Sequence, residues 1–127
     1  MAFRDTAGAK VDDIFPVYSV SKLFLSTLVM QLVEQETIDL DKPASAYVAS
    51  RPASWQAITV RQFLNHTSGV PEYFDATAIF PPTVQTVFAS LATKPLVFQP
   101  DTATRYTQTN YPVLTALLET HYGQPYP

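Results

Sequence analysis

Cysteine is absent from the 127 residues, which excludes disulfides, thiolate metal ligation and a cysteine nucleophile. Histidine occurs twice, as His66 and His121, too few for a histidine-built metal centre, so no metal is expected from these residues and nothing in the composition calls for a cofactor. Glycine occurs three times, at Gly8, Gly69 and Gly123, against eleven prolines. A sheet-rich enzyme carries about 7% glycine on average, so this scarcity points to helix and loop. Charge is sparse as well. Charged residues make up 15% of the chain, the net charge is -3, and no two of the eight basic residues are adjacent. That excludes nucleic acid as the main partner, because phosphate binding needs clustered Lys and Arg. No apolar run reaches the ~18–20 residues of a membrane span, and residues 1–10 lack the apolar core of a signal peptide. What is present is 46% hydrophobic residues, enough for one folded domain and not two.

Along the chain, Ile14-Phe15-Pro16-Val17-Tyr18 is apolar and β-leaning, although its proline weakens a central-strand reading. After Ser19-Val20-Ser21-Lys22 comes an apolar stretch from Leu23 to Val33 with hydrophobic residues nearly all round a helical circumference, the pattern of a buried helix. Asp39 to Trp55, with Pro43 and Pro52, reads as loop. Thr59-Val60-Arg61-Gln62 fits a capping box, and Ser68-Gly69 is expected to stop the short helix it starts. Pro71 to Pro82 reads as loop and Thr83 to Thr93 as a third helix. Leu96-Val97-Phe98 is a short extended candidate before a turn at Pro100-Asp101-Thr102. The last helix is expected over about Asn110 to His121, with Pro112 in its first turn and Gly123 as its stop.

The sharpest chemical feature is Ser19-x-x-Lys22 at the entrance of the first helix. Residues three apart share a helix face, and a helix N-terminus offers positive potential and free N–H groups. Such a setting helps a serine lose its proton and a neighbouring amine act as base. A plain N-cap serine beside a solvent-facing lysine is the bland alternative. Against it, lysine has the wrong charge for a first helical turn. The second feature is Tyr106-Thr107-Gln108 just before the last helix. A phenol beside a cation can pass protons, although seven tyrosines in the chain make an ordinary loop tyrosine the default. His66, in Asn65-His66-Thr67-Ser68-Gly69, and His121 are read as helix-end residues that suit the dipole. Asp12-Asp13 and Glu34/Glu36 are read as solvated, and Trp55 as packing.

Four collinear blocks carry a family resemblance: "FPVYSVSKLFLSTLVMQL" from Phe15, "LDKPASAYV" from Leu40, "ITVRQFLNHTSGVPEY" from Ile58 and "FQPDTATRYTQTNYPVLTALLETHYG" from Phe98. In this order and spacing they resemble the serine beta-lactamase-related family, which includes class C beta-lactamases, D-alanyl-D-alanine carboxypeptidases and related esterases. The resemblance implies a mainly α chain: the helical lobe of the α+β beta-lactamase/penicillin-binding-protein-like fold, with the sheet domain largely missing. Residues 1–127 would then be one partial domain, a catalytic helix over about 19–36 plus a helical lobe to about 123.

The resemblance also implies roles. Ser19 matches the acylated nucleophile, Lys22 the lysine that assists its deprotonation, and Tyr106 the tyrosine of the Tyr-x-Asn motif. Gln108 stands where the family has Asn and would be a substrate-binding residue whose extra methylene displaces the amide. Asp101 replaces the glycine of a Pro-Gly-Thr turn, which Asp tolerates better than most residues. The family's Lys/His-Ser/Thr-Gly triplet is absent. The expected function is a serine hydrolase acting through an acyl-serine on an amide or ester of a small molecule or peptide, weak without the missing sheet domain. Many members work in the cell envelope or outside the cell. The competing reading is a non-catalytic helical binding or assembly module built on the same scaffold. Its mark would be apolar surface on the first helix that needs a cover.

Overall fold

α4 (Asn110–Tyr122) is the helix around which the others gather, packing against α1 (Ser21–Glu34), α2 (Val60–Leu64) and α3 (Val84–Leu91). This is a computed structural model, and it describes residues 8, 10–74 and 83–126. Among the described residues there is no strand; one isolated antiparallel bridge joins Pro43 to Thr59. The chain expected to be mainly α is therefore so.

The reason α4 is central lies in its sequence. Val113, Leu114, Ala116, Leu117 and Leu118 are all buried, so it has core-facing residues on more than one side and needs neighbours around it. Each buried leucine or valine contributes roughly 1.5–3 kcal/mol relative to exposure. Gly123 ends it with φ 66° and donates its N–H to the Glu119 carbonyl at 2.9 Å, the left-handed stop expected of glycine there. Trp55 is buried in the same core, edge-on to Phe88 at 5.7 Å and tilted against Phe63 at 6.5 Å.

The capping box forms in full. The Thr59 hydroxyl accepts from the Gln62 N–H at 3.2 Å, and the Gln62 Oε1 accepts from the Thr59 N–H at 2.9 Å. α3 is capped by Thr83, whose hydroxyl accepts from the Thr86 N–H.

Several expectations need correction. The first helix does not begin at Ser19. A 3-10 turn spans Tyr18–Val20 and leads into α1 proper at Ser21; the left-handed backbone of Tyr18, φ 44°, keeps the α-helix from extending back past Ser19. Nor is α1 buried all round. Leu25, Val29 and Leu32 face the core, whereas Leu23, Phe24 and Met30 are 68%, 63% and 45% exposed. Nothing among the described residues covers that face. The stretch Asp39–Trp55 contains two 3-10 turns, Ala44–Ala46 and Ala53–Trp55, each entered by a proline. α2 ends at Leu64, not at Ser68-Gly69, and it is His66 that turns left-handed first, with φ 62°. Leu96–Phe98 joins no ladder; it makes a single link, from the Val97 N–H to the Gly69 carbonyl at 2.8 Å. Of the loop expected over Pro71–Pro82, residues 75–82 lie outside the described residues.

The links that matter for the site run between residues 66–69 and 97–105. Besides Val97 to Gly69, the Asp101 N–H reaches the Thr67 carbonyl at 2.9 Å and the Arg105 N–H reaches the His66 carbonyl at 3.0 Å. Gly69, at φ 74°, allows this approach, since a side chain there would run into the Phe98 carbonyl. The segment so anchored carries Tyr106 and Gln108.

Candidate active site

Ser19 sits in the 3-10 turn, one turn ahead of Lys22, which is the second residue of α1. The left-handed Tyr18 before it is a strained position, costing on the order of 1–3 kcal/mol, and the Tyr18 carbonyl is tied by the Ser21 hydroxyl at 2.6 Å. This turn aims the Ser19 side chain across the helix N-terminus and away from capping: no side chain caps α1.

Four residues meet there. The Ser19 Oγ lies 2.8 Å from the Tyr106 hydroxyl, and the Lys22 ammonium donates to Ser19 Oγ at 3.1 Å. Lys22 also donates to the Gln108 Oε1 at 2.6 Å. Its Nζ stands 5.4 Å from the Tyr106 ring centre and 5.1 Å from that of Tyr111, within reach of a cation–π attraction. The expectation that the longer Gln108 side chain would carry its amide out of place does not hold for the lysine contact, because the glutamine oxygen still reaches Lys22.

The site is electrically coupled. The Lys22 ammonium, then the Ser19 hydroxyl, hold the Tyr106 phenol below its ordinary pKa of 10.0, against a small opposing effect of burial. Tyr106 is 54% exposed, so water screens part of this. The anion of a phenol so biased, touching a serine hydroxyl, can accept that hydroxyl's proton.

Three residues support the site in ways the sequence does not show: Glu72 is not singled out there at all, and Asp101 and His66 read only as turn and helix-end residues. Glu72 is half-buried, and its carboxylate accepts from the Tyr73 and Phe74 N–H groups at 3.0 Å each, the Gln108 N–H at 2.8 Å and the Thr107 hydroxyl at 3.0 Å. Burial alone works to raise its pKa and is the largest single influence. The four hydrogen bonds together outweigh it and leave the carboxyl below its ordinary value. Asp101 takes the left-handed conformation expected of it, φ 65°, and accepts from Thr67 Oγ1 at 2.7 Å and Gln62 Nε2 at 2.5 Å. Gln62 thus serves the α2 capping box with one end of its amide and the turn before Tyr106 with the other. His66, read as a helix-end residue, does stand at the end of α2, but its ring also lies against Tyr106 with centres 4.7 Å apart and planes 32° from parallel. The sequence signal for Glu72 and His66 is the block Asn65–Tyr73 as a whole, and for Asp101 its turn; the contacts that tie Glu72 and Asp101 to the site span 34 or more residues.

His121 is in the last turn of α4 against Tyr122, roughly 16 Å along the axis from Asn110, and takes no part. Among the described residues no group of three or more His, Asp or Glu side chains gathers that could hold a metal ion, and no helix is long and apolar enough to cross a membrane.

The comparisons with known proteins agree on one family. The family model described as Beta-lactamase matches residues 2–127. Among curated proteins, the chain is 27% identical over 131 residues to the "Probable fimbrial assembly protein FimD, serogroup H1" of Dichelobacter nodosus, covering 98% of this chain and 33% of that one. It is 27% identical over 126 residues to penicillin-binding protein 4* of Bacillus subtilis (strain 168), covering 92% of this chain and 27% of that protein. The chain therefore spans a third or less of these relatives' lengths. Among solved structures, the D-amino acid amidase of Ochrobactrum anthropi SV3 superposes with a TM-score of 0.80 at 26% identity, over 96% of this chain and 38% of the amidase. A D-stereospecific amidohydrolase from Streptomyces sp. gives 0.75 at 29% identity, over 87% and 38%. What the described residues form is a helical portion of that shared fold.

Proposed function

The chain belongs to the beta-lactamase family, and on that footing we propose that Ser19, Lys22 and Tyr106 are the acyl-transfer centre of a serine hydrolase acting on an amide or ester. The observation that carries this reading is the hydrogen-bonded triangle: one serine oxygen within 2.8 Å of a phenol and 3.1 Å of an ammonium. Tyr106, as the phenolate that the Lys22 charge stabilises, takes the Ser19 proton as Oγ bonds to the carbonyl carbon and the carbonyl electron pair moves onto oxygen. Collapse of that adduct expels the amine or alcohol, which takes up the proton, and leaves an acyl-serine ester. A water molecule then repeats the sequence and frees the acid. Gln108 fixes Lys22 through its amide oxygen and, on this reading, is the residue that meets substrate. Amide substrates are favoured by the amidases among the structural neighbours.

Residues 1–127 are, on this reading, one partial domain, a catalytic helix with its helical lobe. The Ser19 N–H supplies one oxyanion donor. The second belongs to a strand with a Lys/His-Ser/Thr-Gly triplet, which these 127 residues do not contain. A sheet domain of the same protein, seated on the apolar face of Val17, Val20, Leu23 and Phe24, would supply it. Losing one oxyanion donor costs about 10²–10³ in rate, so the chain alone is expected to be a weak catalyst. A non-catalytic module would account for the apolar face but not for the Ser19–Lys22–Tyr106 triangle.

Intact-mass analysis after a fluorophosphonate or penicillin tests this. The 127-residue chain should label slowly, and a longer protein that includes the facing wall should label rapidly at Ser19. Label that survives Ser19→Ala refutes the assignment of the nucleophile; rapid Ser19-dependent labelling of the 127-residue chain refutes the need for a facing wall.

A further inference from the structure

Resting on the reading of Tyr106 as the proton-transfer group, we propose that His66 is the positioning residue that holds the Tyr106 phenol at Ser19, and that it does so as a neutral imidazole with its proton on Nε2. Three observations join here. The His66 ring lies against Tyr106 at 4.7 Å between centres and against Tyr111 at 5.8 Å, so it fills the space between the two phenol rings that Lys22 also faces. The His66 carbonyl accepts the N–H of Arg105 at 3.0 Å, one residue before Tyr106. The side chain is half-buried.

The tautomer follows from which neighbours can only donate. The Thr107 backbone N–H points at His66 Nδ1 at 3.4 Å. A backbone N–H has no other role than donor, so Nδ1 must offer a lone pair. Asn110 then presents its amide nitrogen to the same Nδ1, at 2.7 Å. That orientation turns the Asn110 oxygen toward Ser68, whose buried hydroxyl donates to it at 2.6 Å. Each hydrogen bond in the chain Ser68–Asn110–His66 is satisfied in this one arrangement.

Protonation of the ring would place an N–H at Nδ1 against two donors and a second cation near Lys22. Both burial and the Lys22 charge hold the His66 pKa below its ordinary 6.5. The charged and titratable groups around the ring are Lys22 from α1, Tyr106 from the loop and Tyr111 from α4, with Glu72 reaching the same loop through Thr107 and Gln108.

The test reads imidazole and phenol directly in the full chain, without turnover. Nitrogen-15 spectra of the two histidines near neutral pH, assigned with His121→Gln, should show His66 with its proton on Nε2 and a hydrogen-bonded bare Nδ1. A proton on Nδ1 overturns the proposal whatever any variant does. The second arm is His66→Gly, which keeps the left-handed backbone. If His66 has only a structural role, this variant leaves the Tyr106 titration where it was, whatever happens to its thermal midpoint, and the proposal fails. If His66 positions Tyr106, the phenol drifts from Lys22 and its titration midpoint rises toward that of an ordinary tyrosine, with Tyr106→Phe identifying the resonance. Fluorophosphonate labelling of the parent separates the two levels. An upward shift in His66→Gly together with no label at Ser19 sinks the hydrolase reading and supports the placement by His66.

Discussion

Replacing Gly69 by alanine should destabilise the chain through two separable effects, and a matched control isolates one of them. Gly69 has φ 74°, and a Cβ there would enter the Phe98 carbonyl, ending within 3.1 Å of its carbon. Forcing an L-residue into the left-handed region costs ~1–2 kcal/mol. Relieving the clash means moving residues 97–98 away, which gives up the 2.8 Å bond from the Val97 N–H to the Gly69 carbonyl, about 0.5–1.5 kcal/mol. The expected total is roughly 2–3 kcal/mol. Gly123 has nearly the same backbone, φ 66°, with nothing within 4 Å of a built Cβ. Gly123→Ala therefore carries the backbone cost alone, and the lowered unfolded-state entropy that alanine brings is common to both variants. Urea unfolding at constant m should place Gly69→Ala about 1 kcal/mol or more below Gly123→Ala. Equal losses in the two variants would mean that residue 98 does not crowd Gly69 and that the anchoring of the 97–105 segment has been misjudged. Because that segment carries Tyr106, the Gly69 variant should also raise the Tyr106 titration, while Gly123→Ala should not.

Two further variants test the frame around the site. Thr59→Ala removes the hydroxyl that accepts from Gln62, an N-cap loss of about 1 kcal/mol measurable by urea unfolding; a neutral result would show that the box contributes only shape. Glu72→Gln removes a carboxylate whose folded pKa lies below its ordinary 4.5. The stability it contributes is therefore complete above that unfolded value and fades as pH falls through the lower folded one. The variant should be less stable than the parent at pH 7, and the gap should close in strong acid. A gap of the same size at both ends would show that the charge on Glu72 is not what holds Thr107 and Gln108.

Much of the frame was legible because it is local. The capping box depends on two residues three apart, the stop of α4 on one glycine, and the α4 core on spacing within thirteen residues. The lysine three residues after a serine was legible for the same reason. What was hidden depends on long-range approach. Glu72 is an ordinary acidic residue until Thr107 and Gln108, more than thirty positions on, come to it. His66 fits a helix end so well that its second contact, with Tyr106, has no trace in local pattern. The helical run about Ser19 begins as a 3-10 turn over Tyr18–Val20 before α1 at Ser21, and the left-handed Tyr18 just ahead of Ser19 has no signal in the sequence, since an aromatic carries no preference for that backbone. The burial of α1 differs from its pattern for another reason: an all-round apolar pattern reports what the helix needs, not whether the described residues supply it.

That unmet need bears on the site itself. α1 turns Leu25, Val29 and Leu32 into the lobe and leaves Leu23, Phe24 and Met30 outside, so Ser19, in the 3-10 turn that leads into it, stands on the seam between a covered and an uncovered face. Ligand sites favour such seams, because only there can two walls close on a substrate. The polar cluster is built on one wall alone: serine, lysine and tyrosine already touch, and Glu72, Asp101 and His66 hold the tyrosine loop from behind. With Tyr106 half exposed, the Lys22 field on its phenol is weakened by water. Covering the apolar face would expel that water and strengthen the same charges at unchanged distances. A cover that docks on Leu23 and Phe24 should therefore lower the Tyr106 titration further below its value in the 127-residue chain. An unchanged titration in the longer protein would place the cover somewhere other than over Ser19.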